Sequence, residues 1–98
     1  MIIVWGSLEV RPENLQVALK LSLEHVKLSR QEPGCISHSV QIDVEKETRL
    51  VFFEEWESMA VLRDHFAVPA SNSFVTELSK LADDSPTMKI YEASPAKG

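Results

Sequence analysis

At Pro33-Gly34 the hydrophobic period of this chain changes from that of a helix to that of a strand, and the switch limits what the chain can fold into. Before it, Leu15, Leu19, Ser22, Val26 and Ser29 fall on one helical face, with Val17, Leu21 and Leu28 beside them. So wide a stripe predicts a helix covered on more than one side. After it, Ile36, His38, Val40, Ile42 and Val44 alternate with Ser37, Ser39, Gln41 and Asp43, the two-residue period of a strand. Proline cannot continue a helix and glycine accepts a left-handed turn, so the dipeptide is the boundary.

The same reasoning places the other elements. Residues 2–10 are rich in β-branched and apolar side chains and read as a first strand. Pro12 suits the first turn of the helix, and Glu13 suits its positive end. Glu45-Lys46-Glu47-Thr48 is a charged hairpin connection, and residues 49–56 return as a strand. Ser58 can cap a short helix running through Phe66, with Met59, Leu62 and Phe66 inward. Residues 67–71 break the pattern around Pro69. Phe74, Leu78 and Leu81, widened by Val75 and Ala82, mark a further helix, and residues 87–93 a last strand. Strand, helix, strand, strand, helix in two pieces, strand is a split βαβ, ferredoxin-like α+β pattern with an antiparallel sheet. One domain over residues 1–93 is expected, followed by a disordered tail over 94–98.

Both faces of the predicted strands are greasy. Ile2, Val4 and Leu8 oppose Ile3 and Trp5; Leu50 and Phe52 oppose Val51 and Phe53; Met88 and Ile90 oppose Tyr91. Helices in this topology cover one face, and a free face normally reads polar. A homodimer covering the second face through a two-fold interface is therefore expected.

Composition excludes several functions. The 98 residues carry 10 Lys+Arg against 15 Asp+Glu, a net charge of −5, and an acidic chain without a basic stripe is poorly suited to nucleic acid. No apolar run approaches a membrane span. The first five residues lack the basic flank and cleavage site of a secretory leader, and the single cysteine, Cys35, has no partner in the chain. A cytoplasmic protein is expected. With three glycines there is no phosphate-cradling loop or dinucleotide fingerprint. His25, His38 and His65 lie on three different predicted elements, and no local spacing suggests a metal site. No cofactor is expected.

Ser29-Arg30-Gln31-Glu32-Pro33-Gly34-Cys35, the alternating strand, Phe53-Glu54-Glu55-Trp56, and then His65 with Pro69 shortly after together resemble the antibiotic biosynthesis monooxygenase domain family, over residues 2–93. The resemblance implies a small dimeric α/β barrel. It also spans several chemistries: quinol and polyketide monooxygenation without metal or flavin, haem degradation, and isomerisation of a phosphorylated sugar. The haem branch is disfavoured. The axial histidine that the resemblance places on the later helix is missing from residues 70–84, and no asparagine occurs at Trp5-Gly6-Ser7.

Within that frame His65 and Glu54 are the candidate catalytic residues. His65, one turn after Val61, is expected at the rim of a cavity between helices and sheet, as general base or orienting donor; its structural alternative is an imidazole closing a helix end. Glu54 interrupts the apolar row of Leu50, Phe52 and Trp56, and a carboxylate there needs a donor. It is expected to orient His65 or accept a proton, or else to pair with Arg30, Arg49 or Arg63. Trp56 and Phe52 are candidates for a wall stacking on an aromatic substrate, or else plain core. His25 is a further candidate substrate contact, and Tyr91 is either a donor to a substrate oxygen or interface packing. His38, on an apolar row, reads as a satisfied core residue, and Cys35, without a cationic neighbour, as packing. The expected activity is oxidation of a small quinol- or phenol-type aromatic by O2. The alternatives are an acid–base isomerase of a small hydroxy-ketone and a non-catalytic dimeric ligand-binding module.

Overall fold

The computed structural model describes residues 1–97. A four-stranded antiparallel sheet carries three helices on one face. The elements are β1 (Ile2–Glu9), α1 (Leu15–Ser29) entered through one 3-10 turn at Pro12–Asn14, β2 (Cys35–Asp43), β3 (Lys46–Trp56), α2 (Met59–Ala67), α3 (Pro69–Leu81) and β4 (Thr87–Glu92). Spatial order is β2-β3-β1-β4, with every neighbouring pair antiparallel. This is the expected split βαβ fold.

Alternation decides which side chains face the helices. Along β1, Ile2, Val4, Gly6 and Leu8 are buried, while the residues between them are half-buried on the outer face. Two clusters fill the helix side. Leu8, Val10, Ala18, Leu50 and Leu78 form one. Ile2, Val4, Trp56 and Leu62 form the other, with Met59 and Val61 against it. The α1 stripe is narrower than expected: Ala18, Ser22, Val26 and Ser29 are buried, but Val17 and Leu28 are more than half exposed.

Local differences have local causes. β3 starts at Lys46 rather than residue 49, because ladder pairing uses the backbone and tolerates charged side chains. Pro69 does not interrupt a helix but opens α3 at its first position, where no N–H is required. The alternating row of β2 is broken by a register shift between Cys35 and Ser37. The shift leaves Ile36 half exposed, and Val44 lies in the hairpin turn. Residues 94–97 carry no helix or strand, and Gly98, the last residue of the expected tail, lies outside the described residues. No helix among the described residues is long and apolar enough to cross a membrane.

One turn positions α2. Gly34 has φ +85°, which strains any residue with a Cβ, and a Cβ there would lie 2.7 Å from a Val61 methyl. The backbone of Gly34 also accepts from the Glu57 N–H at 2.9 Å. The turn between α1 and β2 is thus locked against the start of α2, and His65 lies one turn further along.

Candidate active site

Four elements bring ionisable groups to one place on the helix side of the sheet. His25 comes from α1, His38 from β2, Glu54 from β3 and His65 from α2. His38 and Glu54 are direct cross-strand partners. These residues border a cavity of about 390 Å³, lined also by Val4, Phe52, Phe66, Phe74, Leu78 and Met88, so its wall is mainly apolar.

His65, only 3% exposed, is held from the locked turn. Its Nδ1 lies 2.9 and 3.0 Å from the two carboxylate oxygens of Glu32. A carboxylate accepts and cannot donate, so Nδ1 carries a proton, and in the neutral ring Nε2 is the nitrogen that presents its lone pair. Nε2 lies 4.0 Å from Glu54 Oε1. The residue that orients His65 is therefore Glu32, with Glu54 across the ring. Glu32 stands in the Glu-Pro-Gly-Cys turn, but nothing local to the sequence links it to a histidine 33 positions away. The signal that could have found it is the motif itself, a glycine fixed against the helix that carries His65.

Glu54 pairs with none of the expected arginines. Oε1 accepts the indole N–H of Trp56 at 2.9 Å and lies 3.3 Å from His38 Nε2. Burial alone would raise its carboxyl, but His38, the Trp56 donor and His65 outweigh that and hold it below the usual carboxylate range. Arg49 binds Glu9 instead, and the Arg30 guanidinium donates to the His38 carbonyl.

His38 faces the cavity and is not a satisfied core residue. It is 2% exposed; its Nε2 meets only Glu54 Oε1, at 3.3 Å and outside good hydrogen-bond geometry, and its Nδ1 is buried without a partner. A buried polar atom in that state is costly. His25 stacks on Phe74 with centroids 4.0 Å apart. Desolvation, then the neighbouring His38 and His65, push its pKa down to about 4. Its imidazole is therefore neutral near pH 7.

Two expected substrate contacts lie elsewhere. Trp56 is fully buried beneath His65, centroids 4.5 Å apart, and does not line the cavity. Tyr91 pairs with Ile3 on the outer face of the sheet, half exposed. Phe52 and His25 do line the cavity. Cys35 is half-buried, and burial, then Glu32 and Glu54, push its thiol up, away from the reactive thiolate.

A family model described as antibiotic biosynthesis monooxygenase matches residues 1–77. An uncharacterised protein of Synechocystis is 35% identical over 91 residues, 93% of this chain; the chain spans about 62% of that relative's length. A crystal structure of an antibiotic biosynthesis monooxygenase superposes with TM-score 0.90 at 28% identity, covering 97% of this chain and 100% of the other. A candidate antibiotic biosynthesis monooxygenase from Deinococcus radiodurans superposes with TM-score 0.94 at 25% identity, covering 100% and 97%.

Proposed function

The chain belongs to the antibiotic biosynthesis monooxygenase family, and we propose that it oxidises a small phenol- or quinol-type aromatic with O2 in the cavity between helices and sheet. The observation that carries this reading is the Glu32–His65 pair facing a mainly apolar cavity of about 390 Å³, a volume suited to one or two fused rings.

O2 reacts slowly with closed-shell organic molecules, so the substrate has to become a strong electron donor. Its hydroxyl proton passes to His65 Nε2, and the carboxylates of Glu32 and Glu54 stabilise the imidazolium. The phenolate gives one electron to O2, and the two radicals combine to form a ring C–O bond. The distal oxygen then leaves as water, taking the ring hydrogen at that carbon and the proton returned by His65 Nε2. For a phenol with a free para position the sum is phenol plus O2 giving quinone plus water, all four electrons coming from the substrate. Phe52 and Phe74 supply flat apolar wall, and a dry site strengthens each charge interaction.

The isomerase reading asks for a second group that delivers a proton. Glu54, held ionised with Oε1 engaged by Trp56, is poorly placed for it. The proposal includes a two-fold partner over the outer face, where Ile3, Trp5, Val51 and Phe53 are half-buried and Tyr91 half exposed, and a cytoplasmic setting.

The test is turnover of a panel of naphthols and quinols by chelator-treated protein, with and without O2. The expected result is O2-dependent quinone formation with one labelled oxygen from O2 in the product. Substrate decay equal to that of a protein-free control overturns it.

A further inference from the structure

We propose that His25, His38 and His65, with Glu54 as the fourth donor, form a site for a divalent transition ion of the zinc class at the floor of the cavity. Binding of the ion does not rest on the monooxygenase reading; its effect on turnover does.

The histidines each offer a ligand nitrogen, and these three atoms lie within 4.8 Å of one another. A tetrahedral zinc with bonds of about 2.0–2.1 Å holds its nitrogens roughly 3.4 Å apart, so small ring rotations close the set. Glu54 Oε1, 3.3 Å from His38 Nε2 and 4.0 Å from His65 Nε2, already sits on the edge of that polyhedron.

Two independent observations point to a ligand rather than to packing. The first is His38, which is buried with Nδ1 unpartnered and Nε2 meeting only Glu54 Oε1 at 3.3 Å, outside good hydrogen-bond geometry. Within the fold that imidazole is compensated only by the long contact to Glu54, whereas coordination satisfies one of its nitrogens fully. The second is the shell behind the donors. His65 gives Nδ1–H to Glu32, leaving Nε2 inward, and Glu54 is fixed by the Trp56 indole. Carboxylate–imidazole and donor–carboxylate contacts of this kind fix ligand orientation and basicity in metal centres. Imidazole-rich donors with one carboxylate favour zinc, copper, nickel or iron over magnesium and calcium.

The ion would engage His65 Nε2, the atom that takes the substrate proton in the proposed reaction. Zinc loading then stops turnover by removing the base, and a chelator restores it.

The experiment is titration of Zn2+ into the full chain, freed of any histidine tag, by calorimetry and by competition with a chromophoric chelator. Co2+ is added in parallel to read its visible absorption. The expected result is one ion per chain, a tetrahedral-type cobalt spectrum, and no response to Mg2+ or Ca2+. His38→Ala is expected to weaken binding about a hundredfold or more, and Glu32→Gln about tenfold to a hundredfold. Because His38 is buried, the half-buried His25→Gln serves as a second variant with the same expectation, each fold being checked by circular dichroism. Binding of less than a fifth of an equivalent, or unchanged affinity in the folded His25→Gln protein, overturns the site. If zinc binds as described but no aromatic is oxidised by the chelated protein, the oxygenase reading fails and the metal site stands. If turnover occurs and zinc does not bind, the metal site alone fails.

Discussion

Two ends of the same strands make different use of burial. At one end of the helix–sheet layer, Leu8 and Leu50 face each other across β1 and β3 and pack under Ala18 and Leu78 with no polar side chain in the cluster. Four residues further along β3, Glu54 occupies the position equivalent to Leu50, with His38 rather than Ile42 as its β2 partner and His65 and His25 close by. The first end is bought with ordinary apolar burial. The second carries a carboxylate and imidazoles that each cost free energy to desolvate. Polar burial on that scale, only partly offset by the His65–Glu32 and Glu54–Trp56 hydrogen bonds, marks this end rather than the aliphatic one as the candidate site.

The contrast can be broken from either side. Leu50→Ala removes a fully buried side chain and is expected to destabilise by about 2–5 kcal/mol, read as a lower Tm. Activity per folded molecule stays unchanged. Gly34→Ala is expected to cost about 1–3 kcal/mol, because it places a side chain at positive φ and against Val61. Unlike Leu50→Ala it also lowers kcat/KM, since the turn it deforms positions both Glu32 and the helix of His65. Glu32→Gln is expected to lower kcat/KM about tenfold with little change in Tm, a split expected of a residue that orients His65 and stabilises its imidazolium rather than the fold.

The pH dependence of stability is the effect most diagnostic of burial. His25 is held at about 4 in the fold against 6.5 in the unfolded chain. Between those values the unfolded chain binds more protons, so stability rises with pH there. The metal-free protein therefore loses stability as pH falls from 6.5 to 4, after which this contribution levels off. Glu54, whose carboxyl is lowered in the fold, adds a loss of the same sign at more acidic pH. A denaturation series against pH checks both, and His25→Gln is expected to flatten the slope above pH 4.

Element order was legible because hydrophobic period is a local property, and it changes cleanly at Pro33-Gly34. The bulge at Ile36 and the early start of β3 were not, because both are set by pairing between strands rather than by either strand alone. His65 and Glu54 were singled out from the motif and from an apolar row interrupted by charge. His38 looked like core because one strand cannot show what faces it from α1 and α2. The orienting Glu32 and the convergence of three histidines depend on contacts between residues 13 to 40 positions apart, and no spacing rule reaches that far. Trp56, a candidate for substrate wall or for core, is core, and what the sequence does not show is that its indole N–H holds Glu54.

The most direct test of the account is oxygen uptake by chelator-treated wild-type and His65→Ala proteins on the same naphthol substrate, with folding verified for both. The account predicts one O2 consumed per quinone formed by the wild type, and kcat/KM about a hundredfold or more lower in the variant. Equal rates in the two proteins would contradict it.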